Sequence, residues 1–200
     1  MMLILDHLAL SATTLAEGVE AVETALGVSL ATGGEHPLMS THNRLLGLGD
    51  VYLEVIAINP DAPRPPHPRW FDLDHFSGRP RLTNWVLACD DLDTALAHLP
   101  QGVGAPTDLA RGDLRWRMAI PPDGRLPFAG AHPAVIEWQG PHPAQRLPDS
   151  GIRLTQFEVI TPDAAALQGL QNDPRVTIIQ GATLAMRATF STPHGPRILE

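Results

Sequence analysis

Leu82-Thr83-Asn84-Trp85-Val86-Leu87-Ala88-Cys89-Asp90-Asp91-Leu92 repeats the opening run Leu5-Asp6-His7-Leu8-Ala9-Leu10-Ser11-Ala12-Thr13-Thr14-Leu15 at an offset of 77 residues. Each copy reads as a short apolar strand, a set of polar helix caps and the start of a helical pattern. Leu92, Leu96 and Leu99 fall on the places of Leu15, Val19 and Val22, and Asn84 stands where His7 stood. A unit of this length is a supersecondary element that cannot cover its own sheet, so the copies are expected to join around a shared interior.

Outward from this repeat, Leu5, His7 and Ala9 alternate with Ile4, Leu8 and Leu10 on a first strand. The helix that follows has Ser11 to Thr14 as N-caps and Gly27 as its C-terminal stop. A hairpin is predicted over His42–Leu48 and Val51–Ile58, turning at Gly49-Asp50. In the second unit Leu114–Ile120 and Ala134–Gln139 are the expected strands. A weaker third copy lays Leu154–Ile160 on Leu82–Ala88, with Gln156 at the His7 place and Arg197–Glu200 as its last strand. The predicted organisation is a first unit over 1–58, a linker over 59–81, a second unit over 82–140 and a partial third over 151–200. The linker carries six prolines, but its Trp70, Phe71 and Phe76 are expected to pack over a groove or a seam.

One carboxylate stands out. Tyr52-Leu53-Glu54-Val55-Ile56-Ala57-Ile58 is too apolar to have water on either face, so Leu53 and Val55 are expected to meet the helix, and Tyr52, Glu54 and Ile56 an enclosed space. A buried carboxylate needs a cation, strong donors or a proton. Ala134-Val135-Ile136-Glu137-Trp138-Gln139 shows the same interruption, which makes Glu137 the expected counterpart of Glu54.

The bulk composition excludes several classes. A net charge of −8 without a Lys/Arg cluster argues against nucleic acid as partner. No run is apolar for the length of a membrane span, and MMLILDH has no cationic lead, so a cytoplasmic protein is expected. Cys89 lies in an apolar run and is read as a buried structural thiol.

A repeated βαβββ unit with His on its first strand and Glu on its last resembles the vicinal oxygen chelate superfamily. HPLMSTHNRLLGLGDVYLEVIA, WVLACDDLDTA and LRWRMAIPPDG are similar to bacterial glyoxalase-like domain proteins within it. The resemblance implies an α+β fold in which two units form a cup-shaped mixed sheet with helices outside, here followed by a shorter C-terminal βαβ-type unit. It also implies a metal place on His7, Glu54, Asn84 and Glu137, where Asn84 departs from the usual ligands.

Two functional readings stay open. In one, His7, Glu54 and Glu137 hold a divalent metal (Zn, Ni, Mn or Fe) for a lyase, isomerase or dioxygenase-like reaction, with Glu54, Glu137 and His42 as acid–base groups. In the other, the cup is a metal-free binding or sequestering pocket of the bleomycin-resistance type, and His7 and Glu54 pair with each other or with Arg44, Arg115 or Arg117. Asn43, Asn84 and Trp70 are candidate ligand contacts. Arg115 and Arg117 share a strand face opposite Trp116, which is either the cup's face or the solvated one. His42 is either a cup residue or part of a turn cap, and His36 reads as a loop residue before Pro37. The expected partner is a small molecule, and a homodimer through the C-terminal unit is the alternative use of that segment.

Overall fold

The computed structural model describes residues 3–200. Met1 and Met2, which open the stretch read against a leader, lie outside them. The first unit runs β1 (Ile4–Ser11), α1 (Leu15–Leu26), β2 (Ala31–His36), β3 (Thr41–Gly47) and β4 (Tyr52–Ile58). The second runs β5 (Arg81–Ala88), α2 (Leu92–Leu96), β6 (Ala105–Arg111), β7 (Leu114–Ile120) and β8 (Ala134–Trp138). Together they form one eight-stranded mixed sheet in the order β2-β3-β4-β1-β5-β8-β7-β6. The sheet curls so that its two edge strands, β2 and β6, come into contact. Its two faces are thereby an inside and an outside.

α1 forms where the sequence places it. Thr14 caps it by accepting from Glu17 N at 3.3 Å, and Gly27 ends it in the left-handed region with φ 74°. Val22 and Leu26 are buried against Leu53 and Val55 on the outside of the sheet. Burying each contributes roughly 1.5–3 kcal/mol. The helix lies close on the strand because Gly18 has no side chain there: a Cβ would fall 2.5 Å from Val55 Cγ1. In the second unit the helix is only five residues long, capped by Asp91.

The inside of the cup is filled by the linker. Its 3-10 turn, Trp70–His75, inserts Trp70, Phe71 and Leu73 among Ile56, Val86, Trp116, Met118, Ala134 and Ile136. Phe71 and Asp72 both adopt left-handed backbone, with φ of 58° and 53°. Arg69 and Asp74 lock the turn through a guanidinium–carboxylate contact, and Asp72 N donates to Gly124 O at 2.9 Å.

The C-terminal segment is β9 (Arg153–Thr161), α3 (Ala164–Leu167), β10 (Val176–Gln180), β11 (Ala185–Thr192) and β12 (Gly195–Leu199). Its four strands make a separate sheet in the order β10-β9-β11-β12, with β9 and β10 parallel around α3. The βαβ character is as expected, but the order is not that of the first two units, in which the last strand pairs with the first in parallel. Gln156 accordingly has no His7-like position; its side chain is exposed on the small sheet. This sheet packs on the outer face, where Phe157 meets Trp85 with ring centroids 5.9 Å apart.

Candidate functional site

β1 is bulged between Leu5 and His7, so its extra residue, Asp6, is turned to lie beside His7 instead of opposite it. Asp6 is 1% exposed and accepts from His7 Nδ1, from Trp138 Nε1 at 2.8 Å and from His142 Nε2 at 2.9 Å. Burial opposes its charge, but the hydrogen bonds from His142 and His7 overcome it and hold the carboxyl well below the ordinary range. The other side of His7 faces Glu54, with Nε2 and Oε2 3.7 Å apart. That is ion-pair distance and beyond a good hydrogen bond. Burial alone would strip the imidazole of its proton; the Asp6 hydrogen bond and Glu54 outweigh it and raise the pKa to about 9. His7 is therefore an imidazolium between two carboxylates, stacked on Tyr52 at 4.4 Å.

Glu54 is held from a second direction. Asn43 Nδ2 donates to its Oε1 at 2.5 Å, and the Asn43 Oδ1 in turn accepts from Gly34 N at 2.9 Å and Arg111 Nη1 at 2.8 Å. Burial pushes the Glu54 carboxyl up, yet His7, with smaller help from His36 and Asn43, brings it down to about 2. His36 Nε2 lies 4.0 Å from Glu54 Oε1, and its Nδ1 pairs with Thr41 Oγ1 at 3.1 Å. Burial dominates at this imidazole and lowers its pKa to about 4, so it is neutral. These groups surround a cavity of about 30 Å³, room for a water or two, walled by Trp70, Phe71, Trp116 and Trp138.

The strands thus bring together His7, Glu54, Asn43 and Trp70 of the expected set. They do not bring Glu137. Its carboxylate lies on the opposite face of β8, accepting from Leu92 N at the start of α2 at 2.8 Å and from Arg117 at 3.2 Å. The reason is register. Ala9 sits opposite Asn84 across β1 and β5, as His7 sits opposite Val86, so the offset of 77 relates the two strands. Ala9 then pairs with Glu54 and Val86 with Ala134, which makes Ala134 the counterpart of Glu54. Glu137 is three residues further on, and an odd shift reverses the face.

The remaining expectations divide. Arg115 and Arg117 are on the outside: Arg115 donates to the Gly112 and Leu114 carbonyls, and Arg117 pairs with Asp93 at 2.9 Å. The indole of Trp116 between them is what enters the cup. His42 also points away from Glu54, with Glu35 and Asp61 among the charges around it, and its Nε2 is enclosed without a hydrogen-bond partner among the described residues. Asn84 is buried at 4% exposure but lines a different and larger cavity. Cys89 is buried, and burial raises its thiol to about 11.

Asp6, Arg111, Trp138 and His142 belong to the site and carried no readable signal; His36, read as a loop residue before Pro37, is instead the buried last residue of β2, in the GGEH segment it shares with Gly33. A Cβ on Gly33 would lie 1.9 Å from the Asn43 carbonyl oxygen, so glycine there marks close approach of β2 to β3.

The metal that the superfamily resemblance implies does not fit this donor set. Asn84 lines a different cavity and Glu137 lies on the opposite face of β8, so of the four implied donors His7 and Glu54 alone face one another. Among the described residues no three His, Cys, Asp or Glu side chains are grouped to hold an ion.

Two βαβββ units sharing one curled sheet around an enclosed polar cavity define the vicinal oxygen chelate class. The chain belongs to the glyoxalase-like domain family, whose model matches residues 5–172. Comparison with curated protein sequences finds no match. Among solved structures, a hypothetical protein from Staphylococcus aureus is similar at 12% identity and TM-score 0.64, over 92% of this chain and 88% of that one. Methylmalonyl-CoA epimerase from Mycobacterium tuberculosis is similar at 16% identity and TM-score 0.45, over 70% and 91%. A variant of the Streptomyces coelicolor methylmalonyl-CoA epimerase in complex with 2-nitronate-propionyl-CoA gives 14% and 0.45, over 69% and 97%. The first likeness shows the fold; the other two are too distant to speak to activity. Among the described residues no helix is long and apolar enough to cross a membrane.

Proposed function

We propose that the chain is a glyoxalase-like protein that takes the oxygen-bearing end of a small molecule into the cup beside Glu54 without a metal, and that it acts in the cytoplasm. The observation that carries the reading is the closed pairing around Glu54: its charge is met by the His7 imidazolium and its Oε1 by Asn43. A carboxylate so compensated acts as a fixed acceptor and electrostatic wall rather than as an open ligand. The donor side of the pocket is less complete. Trp70 lines the small cavity, and its Nε1 is buried without a partner among the described residues. A ligand oxygen arriving there would satisfy it.

Metal content tests the reading. Protein purified without chelator is expected to hold well below a tenth of an equivalent of any divalent ion, with no gain in thermal midpoint on adding Zn, Ni, Mn or Fe(II). About one equivalent per chain, lost on Glu54→Gln, overturns it.

A second reading is proton transfer, favoured by the imidazolium and the carboxylate standing beside one enclosed space. It requires exchange of a hydrogen next to a ligand carbonyl into deuterated water, abolished by Glu54→Gln and observable by NMR.

A further inference from the structure

A cavity of about 800 Å³ lies at the seam where the cup meets the C-terminal sheet. Its walls come from the linker (Phe71, Phe76, Arg79), from the start of β5 (Arg81, Asn84) and from β11 (Met186, Arg187). This volume is that of a site for a whole organic molecule, whereas the cavity beside Glu54 has room for no more than one end of a ligand.

The charge of the walls is opposite to that of the chain. Four arginines, at 79, 81, 125 and 187, face two carboxylates, Asp72 and Glu200, in a protein of net charge −8. Those two carboxylates are already engaged: Arg125 Nε donates to Asp72 at 3.2 Å and Arg187 Nε to Glu200 at 2.8 Å. Arg79 and Arg81 have no acidic partner among the described residues. Arg81 is nevertheless held in place. Its Nη1 donates to the carbonyls of Ser77 and Arg79, and its guanidinium lies 4.4 Å from the centre of the Phe76 ring. A positioned guanidinium with a free edge suits a planar anion.

Asn84 supplies the independent observation. It is 4% exposed, it lines this cavity, and its Oδ1 is buried with no hydrogen-bond partner among the described residues. A buried acceptor left unmet costs about 1–3 kcal/mol. A ligand hydroxyl or amide N–H removes that cost.

We infer that the seam cavity binds an amphipathic organic anion: an acidic head on Arg79 and Arg81, an apolar body against Phe71, Phe76, Leu126 and Met186, and a hydroxyl or N–H group at Asn84. The site stands apart from the Glu54 cluster and does not depend on how that cluster is read.

The test is a fluorescence titration of the full chain with 8-anilinonaphthalene-1-sulfonate, which has an acidic head, an aromatic body and one N–H. Saturable binding of one probe per chain is expected, displaced by dodecanoate or dodecyl phosphate and not by dodecyltrimethylammonium. The first two competitors separate a carboxylate site from a phosphate site. Arg79→Ala with Arg81→Ala is expected to weaken the probe about tenfold or more, as is Asn84→Leu. Ala185→Trp, at an exposed position on the cavity wall, is expected to block binding while leaving the thermal midpoint unchanged. Glu54→Gln is expected to leave probe binding intact, so a failure of the metal-free reading leaves this one standing. Absence of saturable binding, or equal affinity in the arginine, Asn84 and Ala185 variants, overturns the proposal.

Discussion

The two halves of the cup have the same strand frame and opposite interiors. Register matches His7, Glu54 and Asn43 of the first half to Asn84, Ala134 and Met118 of the second. The first half therefore carries a charged, hydrogen-bonded cluster where the second is nearly all apolar, packed with the linker's aromatic residues. The frame of a duplicated unit is kept by packing, which many apolar residues satisfy. Its polar positions are kept only where a partner exists, and a lone Glu at the Ala134 place would have none.

This contrast gives a graded set of outcomes. The largest belongs to His7→Leu, which leaves Asp6 and Glu54 buried without their cation; about 3–5 kcal/mol of stability is expected to be lost, measured by urea unfolding. Next is pH. His7 keeps its proton up to about pH 9 in the folded chain but releases it from 6.5 when unfolded, so stability is expected to fall by about 3 kcal/mol between those values. His7→Leu should flatten that slope; a slope that survives the substitution means another group is responsible. On the acid side stability also falls: the unfolded chain protonates His36 from 6.5 while the folded one resists to about 4, and Glu54 loses its charge between 4.5 and about 2. The cluster should thus be most stabilising near pH 6.5.

Smaller effects come from the other half. Glu137→Gln removes a charge from the N-terminus of α2 and from Arg117, for an expected loss of about 1 kcal/mol with no change in the cup. Asn84→Leu removes an orphaned acceptor, and its unfolding free energy is expected to stay within about 1 kcal/mol of the parent. A large loss there would mean that the second half has a polar site of its own in the folded protein.

Much of the frame was legible because it depends on local rules. Thr14 and Gly27 bound α1 as read, Gly49 turns the β3–β4 hairpin with φ 98°, and the alternation of Leu53 and Val55 with Tyr52 and Glu54 put the carboxylate inside. β2 and β6 were not legible. ATGGEH and APTDLAR lack clear alternation since both are edge strands, largely exposed or carrying glycine for a close approach. With those strands went His36 and Arg111, which sit at their ends. Asp6 was hidden by a bulge, because alternation assumes an unbroken pleat. Glu137 misled because a lone carboxylate in an apolar strand looks the same whichever side it faces, and only pairing with β5 fixes the side.

Phe71 lines both the charged nook beside Glu54 and the roomy seam beneath the small sheet. One benzene ring is thus a wall of both, mounted on a backbone twist that glycine would adopt more readily. A change in that ring's size or seating is therefore felt on both sides, by the imidazolium–carboxylate pair and by the arginine-lined seam.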